Sequence, residues 1–347
     1  MRSTPADVST ESPVQPGLLV LGNSEAGTLD AENLAAAVEV LSAELEVEVA
    51  STSSPEELAE VLSLRNDRTV VVAGGDGSLH AVLAALHHNA DLGAHGRPGP
   101  TIGLLPLGTG NDFARAHDLP LDAREAARVV LHGTAVAVDM VTDDAGGVVA
   151  NSVHLGAGAE ASEVGARWKE KLEQANIGKA NLGRLGYPIG ALATAFAPLG
   201  SRLRVEVDGK VVNSGRHRVL MVAVGNGTSV GGGAKLTPDA LTGDGKVDVM
   251  ISRAVSGTNR LSYGLDVLRG RHRRREDVEY LRGTTVTVRS LRPDLPFSVS
   301  SDGELESDVR VRTWHVLPGA YRLLMPADAV SRATGQEPQD GQADAPA

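Results

Sequence analysis

Two glycine-bearing loops hold the residue types and spacing from which chemistry is most readily read. The first is Gly74-Gly75-Asp76-Gly77-Ser78, directly after the β-branched run Thr69 to Ala73. The second is Gly108-Thr109-Gly110-Asn111-Asp112, after Thr101 to Leu105 and Pro106. Each joins an apolar run to backbone without Cβ atoms, a hydroxyl and a carboxylate. Such backbone turns sharply and brings its N–H groups close to an anion. A buried strand, a glycine turn and a helix start bind phosphate, because the first N–H groups of a helix are unpaired and positive. Ser78 is the expected cap of a helix that begins at Leu79 and carries Val82, Leu83 and Leu86. A single Gly-Asp-Gly also makes ordinary turns. Two such loops at neighbouring strand ends make one crevice. Neither is a Walker loop, since no GxxxxGK[ST] occurs.

The elements that must position these loops alternate. Asp30 is a cap candidate for a helix whose Leu34, Val38, Leu41 and Leu45 form one apolar stripe. Ser54-Pro55-Glu56-Glu57 is a capping box with proline at the first helical position, and Asp122 to Glu125 starts another helix that ends near Gly133. Strands alternating with helices of this length predict a parallel, doubly wound α/β sheet. After about residue 134 the pattern changes. Val136, Val138 and Met140 alternate, 147–153 reads as strand, and 203–207 leads through Asp208-Gly209 into a hairpin. Strand signals recur at 217–224, 246–252, 284–290, 296–300 and 309–314, with helices around 160–175 and 185–198. The second half is therefore expected to be a mainly antiparallel β-sandwich or flattened barrel.

Composition bounds the function. At 347 residues two domains are the default, and 41% hydrophobic residues suffice for both cores. The net charge of −11 argues against nucleic acid, which requires a basic surface. The absence of cysteine excludes disulfides and thiol catalysis and fits a cytoplasmic location. The ten histidines show no metal-site spacing, and no run approaches the roughly 20 apolar residues of a spanning helix. Residues 1–16 lack the apolar core of a signal peptide, and they and 327–347 are expected to be disordered. Arg269, Arg271, His272, Arg273, Arg274 and Arg275 form a basic cluster, either a solvated helix end or a docking point for anionic lipid. Three further features are ambiguous on their own. Asp302-Gly303-Glu304 and Asp244-Gly245 each read as turns, and the glycine-dense 224–233 suits either a cleft lining or tight packing.

The order of these segments resembles the diacylglycerol kinase catalytic-domain family, specifically the soluble bacterial lipid kinases, within the larger group that also holds NAD kinases and phosphofructokinases. The motifs in family order begin at Leu18 to Gly27, where the family's loop proline is replaced by Ser24. They continue through the two glycine loops, Asn151 with Gly156 and Gly158, GYPIGAL at 186–192, 224–245, and Asp302-Gly303-Glu304. The resemblance implies a nucleotide-binding domain over 17–134 with return strands around 315–326, and a β-rich acceptor domain over 135–314. It implies ATP at Asn23, Thr52, Gly74, Gly75, Asp76, Gly77, Ser78, Leu79, His80, Thr109 and Asp112. Asp76 and Asp112, the carboxylates nearest the expected phosphates, are candidates to hold Mg²⁺, an ion that prefers oxygen ligands. Glu304 matches the family's catalytic glutamate. A second, structural Mg²⁺ is implied at Asp244 with the carbonyls of Leu241 and Lys246, reached through water by Asp139. The implied reaction is ATP-dependent phosphorylation of a lipid hydroxyl, diacylglycerol to phosphatidic acid being the first reading, at the inner face of the membrane by a peripheral protein. A homodimer is compatible with this. The alternatives are NAD kinase or another small-molecule kinase of the group, and a catalytically silent lipid or nucleotide sensor.

Overall fold

The computed structural model describes residues 17–23, 28–93, 98–156, 159, 200–230, 234–292 and 294–334. The first half alternates as expected: β1 (Gly17–Asn23), α1 (Thr28–Ser42), β2 (Glu46–Thr52), α2 (Pro55–Ser63), β3 (Thr69–Gly74), α3 (Asp76–His88), β4 (Thr101–Pro106), α4 (Asp112–Ala116) and α5 (Ala123–His132). The strands stand in the order β2-β1-β3-β4, all parallel. Side chains alternate along each strand. Leu19, Leu21, Val70 and Val72 therefore pack with Leu58 and Leu62 of α2 and Leu79 and Leu83 of α3, while Leu18, Val20 and Val71 pack with Leu41 of α1 and Val130 of α5. The result is a sheet covered on both faces.

The local signals act largely as the residues dictate. Ser54 Oγ accepts from Glu57 N at 3.2 Å, although Glu57 reaches back to the Ser53 N–H at 2.8 Å rather than to that of Ser54. Asp122 Oδ1 accepts from Arg124 N and Glu125 N, both at 3.0 Å. Three expectations are corrected. The first helix begins at Thr28, so Asp30 lies in its first turn, where a carboxylate is favoured as it is at the cap. The third begins at Asp76 with Gly75 as its cap, because the Gly74-Gly75 turn lets it start before Ser78. Finally, the segment after Pro326 is not unstructured throughout: Ala327–Thr334 is helical, burying Ala329 and Ala333 one turn apart, and the small residues taken as disorder include alanine, the best helix former.

The second half contains β5 (Thr134–Asp143), β6 (Val148–Val149), β7 (Ser152–Gly156), β8 (Leu203–Val207), β9 (Lys210–Asn213), β10 (Met221–Gly225), β11 (Ser229–Val230), β12 (Ala234–Lys235) and β13 (Val247–Ser252). It continues with α6 (Gly257–Leu268), β14 (Val278–Gly283), β15 (Thr285–Ser290), β16 (Phe297–Ser301), β17 (Glu304–Val309), β18 (Val311–Met325) and α7 (Ala327–Thr334). One antiparallel sheet runs β14-β13-β10-β7-β16-β17. It closes over Val205, Val207, Val286, Val288 and Trp314 of the extended first sheet to form the sandwich core. Strand β18 comes back to the first sheet, pairing in parallel with β4 through Arg322 and Leu323. It is also longer than expected, pairing with β5 from Trp314 to Met325 and with β15 from Val311 to His315, so β5 and β18 run through both lobes. The Asp208-Gly209 hairpin is present, with φ of 49° and 75°. The helices expected at 160–175 and 185–198, GYPIGAL, Gly158, the loop 24–27 and the segments 1–16 and 335–347 lie outside the described residues.

Candidate active site

The carboxyl ends of β2, β1, β3 and β4 bring Thr52, Asn23, Gly74 and Pro106 to one edge of the sheet, Asn23 being in register with Thr52 and Gly74 with Pro106. The chain reverses direction across the sheet between β1 and β3, which is where open α/β sheets bind ligands. At this edge the two glycine loops touch. A Cβ on Gly108 would lie 2.6 Å from Gly75 Cα, so that position has no room for a side chain, and one on Gly75 would lie a tight 3.2 Å from Gly108 Cα. Leu107 N donates to Gly74 O at 3.1 Å. The Asp76 carboxylate completes the junction, accepting from Asp112 N at 3.0 Å and Phe113 N at 2.9 Å and thereby capping α4. Asn111 makes this geometry in a left-handed conformation, φ 52°, with its Nδ2 donating to Gly108 O at 2.7 Å.

The start of α3 forms the mouth of this junction. No side chain caps α3, Gly77 is exposed and a Cβ there would meet nothing within 4 Å. Ser78 is half-buried with its hydroxyl over Gly74, and Thr109 is exposed in the second loop. Leu79 faces the other way: it is 1% exposed in the core, and its N–H is donated to Gly75 O. It supports the loop from beneath. Asp112 is buried.

The hairpin between β16 and β17 meets α3 next to this mouth. Asp302 and Gly303 adopt φ of 49° and 96°, so the segment is a tight turn, as its composition suggested. It is more than a turn. The Asp302 carboxylate accepts from Ala150 N at 2.7 Å and from Asn151 N and Ser152 N at 2.9 Å, and Asp302 N donates to Ser152 O. On its other side it meets His80 Nδ1 at 3.2 Å. His80 Nε2 in turn lies 3.7 Å from Glu304 Oε2, whose side chain is 76% exposed. The hydrogen bond that His80 donates to Asp302 raises the imidazole pKa, burial opposes it, and the charges of Asp302 and Glu304 add to the rise. The hairpin thus fixes an open carboxylate beside the helix that carries the first glycine loop. Asp302 was not singled out as a site residue from the sequence, although it stands first in the Asp302-Gly303-Glu304 motif.

The 241–246 turn packs behind the second loop. Asp139 N donates to Thr242 O at 2.6 Å, and the Asp139 carboxylate accepts from Gly245 N at 2.6 Å and Gly319 N at 2.8 Å. Burial raises its pKa. Asp244 Oδ1 accepts from Lys246 N at 3.0 Å and its Oδ2 is paired with Arg282, which also faces Asp248 at 3.3 Å. Arg282 is a further residue that sequence reasoning passed over. His117, just after α4, ties the turn to the loops: its Nδ1 donates to Phe113 O at 2.8 Å, which leaves Nε2 to accept from Thr242 Oγ1 at 3.0 Å. The glycine-rich 224–227 resolves toward packing. Cβ atoms on Gly225 and Gly227 would collide with Thr237 and Asn151, and Asn226 Nδ2 donates to Asp139 O and Ala150 O.

A doubly covered parallel sheet with two touching glycine loops at its carboxyl edge, and a β-sandwich whose hairpin sets a carboxylate beside the helix after the first loop, make a two-lobed architecture of the kinase type. The comparisons specify it. Residues 17–142 match the diacylglycerol kinase catalytic domain, and residues 165–325 match the YegS C-terminal NAD kinase beta sandwich-like domain. The chain is 32% identical over 271 residues, covering 75% of itself and 79% of the relative, to a probable lipid kinase YegS-like protein of Xanthomonas oryzae pv. oryzae. It is 30% identical over 233 residues, 66% of itself and 70% of the relative, to a diacylglycerol kinase of Bacillus subtilis. A putative diacylglycerol kinase from Bacillus anthracis shares the fold, with TM-score 0.70, 21% identity and coverage of 91% of this chain and 99% of that one. The chain belongs to the diacylglycerol kinase catalytic-domain family of lipid kinases.

Proposed function

We propose that the protein transfers the γ-phosphate of ATP to a lipid hydroxyl, with diacylglycerol as the first acceptor to test. The observation that carries this reading is the meeting of the glycine loops with the Glu304 hairpin through His80. The uncapped start of α3, with Gly74, Gly75, Gly77, Ser78 and Thr109, receives the nucleotide phosphates, and Asn23 and Thr52 border the same strand edge. Glu304 takes the acceptor proton as the hydroxyl oxygen attacks phosphorus, the bond to the bridging oxygen breaks and ADP leaves. Asp76 organises this site by clamping the second loop to the first, and Glu304 is the base.

Among the described residues no three His, Asp or Glu side chains converge as a metal site. That suits Mg²⁺ arriving with the nucleotide, since this ion is usually held by one or two carboxylates plus substrate phosphates. Both oxygens of Asp76 already accept the N–H groups of Asp112 and Phe113, which leaves Asp112 as the nearby carboxylate to assist it, and the ion would neutralise charge on the transferring phosphoryl group. The 241–246 turn is a poorer fit to a second ion. Both oxygens of Asp139 already accept N–H groups, and Asp244 already faces a cation, Arg282. We assign the fixing of this turn to Arg282 and the backbone and route no step through metal there.

The test is transfer from radiolabelled ATP to a panel of diacylglycerol, sphingoid base, phosphatidylglycerol, undecaprenol and NAD. Label in a lipid supports the reading and identifies the acceptor. Label in NAD alone contradicts it, and label in none favours a sensor. No helix among the described residues is long and apolar enough to cross a membrane. The lipid acceptor therefore implies contact with a membrane surface.

A further inference from the structure

Helix α6 turns apolar side chains outward. Its core side is made by Arg260 and Tyr263, 5% and 1% exposed, with Tyr263 packed against Met221, Ala223 and Met250 of the second sheet. Leu261 and Leu265, one helical turn apart, are 57% and 43% exposed. The basic segment that follows is not one uniform patch. His272 is buried, with Nε2 2.7 Å from Tyr280 Oη and 3.1 Å from Leu236 O. Arg275 is held by Asp266 at 2.8 Å and Asp277 at 2.7 Å. Arg273 pairs with Asp239 and lies 5.7 Å over the Tyr280 ring. These three fold the segment. Arg269, Arg271 and Arg274 are exposed and have no ion-pair partner among the described residues. Asp239, Asp266 and Asp277 are already neutralised, leaving Glu276 as the exposed acid within the segment.

We propose that Leu261, Leu265, Arg269, Arg271 and Arg274 form a docking surface for an anionic lipid bilayer. Outward leucines on a helix that runs into arginines with no ion-pair partner among the described residues match an interfacial surface, in which apolar side chains enter the headgroup boundary and cations meet lipid phosphate. A chain of net charge −11 is repelled by an anionic surface as a whole, so approach requires such a local reversal of sign. The surface deepens the lipid-kinase reading and rests on it for its purpose, but its binding is measurable without turnover. The bond between His272 and Leu236 also anchors the basic turn to the segment that continues from the 224–227 loop.

The test is co-sedimentation of the full chain with vesicles of phosphatidylcholine alone and of phosphatidylcholine mixed with phosphatidylglycerol. Binding to the mixed vesicles that weakens with added salt is expected, with little binding to the neutral ones. Each arginine contributes about fivefold to partitioning, so Arg269→Gln/Arg271→Gln/Arg274→Gln should lose on the order of 100-fold. Leu261→Ser/Leu265→Ser should lose roughly tenfold or more. Both variants should keep the wild-type melting temperature and the wild-type rate on a short-chain acceptor in detergent micelles. If the leucine variant fails to fold, the arginine variant decides alone. Equal binding of the wild type to both vesicles, or unchanged binding by the arginine variant, overturns the proposal. So does a leucine variant that loses a solution dimer while binding vesicles normally, which would assign the face to a second copy. Vesicle binding without transfer to any acceptor would remove the kinase reading and leave the surface standing; transfer in micelles without vesicle binding would do the reverse.

Discussion

At the scale of residues, Glu304, His80 and Asp302 divide three tasks: an open carboxylate, an imidazole beside it, and a buried carboxylate that holds the imidazole and the backbone of 150–152. Glu304→Gln should bind ATP normally and lose about 10²- to 10⁴-fold in turnover, measured as steady-state rate against nucleotide affinity. Unchanged turnover would remove its role as base. Asp302→Ala would leave the N–H groups of Ala150, Asn151 and Ser152 without their acceptor, and should destabilise the chain by on the order of 3 kcal/mol or more in denaturant melts. His80 gives a pH signature. Because its pKa is raised, chiefly by the hydrogen bond to Asp302, the stabilisation from this pair is full below the ordinary value of 6.5 and is lost as pH rises through the elevated folded value. The melting temperature of wild type should therefore fall toward that of His80→Asn across this window, and parallel curves would contradict the pairing. Glu304 was singled out through the family resemblance, while the turn chemistry of Asp-Gly was legible from composition. Asp302's three acceptor bonds were not, because they reach a segment some 150 residues away in the chain.

At the scale of elements, the central device is the contact between the two glycine loops. Gly108→Ala should cost roughly 1–3 kcal/mol of stability and weaken nucleotide binding together, since the added methyl meets the Gly75 backbone rather than a movable side chain. Calorimetry and nucleotide titration read the two effects; loss of neither would show that the loops tolerate separation. Two buried histidines set an acid limit. Burial lowers His117 and His154 to about 4, so both fold neutral. Between the ordinary 6.5 and about 4 the unfolded chain takes up protons that the folded one refuses, and stability should fall with pH by up to roughly 3 kcal/mol per histidine. His117→Gln should flatten part of this slope. The elements themselves were read well where apolar period and capping agreed, as at Ser54 and Asp122. They were misread where a local signal had two solutions: Ser78 as cap against Gly75, and Ala327–Thr334 as tail against a helix whose alanines are buried.

At the scale of the molecule, β5 and β18 make one unit of the two lobes, so the sheet that carries the glycine loops extends beneath the second sheet, whose Glu304 hairpin reaches the loops' side through the His80 contact. The doubly wound half and the antiparallel half were both legible from strand and helix periodicity. The shared strands were not, because a long strand that changes partners at a bulge between Leu317 and Tyr321 leaves no periodic mark. The same scale tests the 241–246 turn. Asp244→Ala should lower melting temperature and activity together, and the wild-type melt should be the same with chelator as with Mg²⁺, Arg282 supplying the cation there. Stabilisation by Mg²⁺ in the absence of nucleotide would instead place a divalent ion at the turn. The claim on which the rest depends is phosphoryl transfer to lipid. Its most direct measurement is the fate of radiolabel from γ-labelled ATP incubated with the full chain and diacylglycerol in mixed micelles, beside Glu304→Gln. Label in phosphatidic acid with the wild type and its loss in the variant is the expected result; label in NAD but in no lipid, or equal labelling by both proteins, would contradict the account.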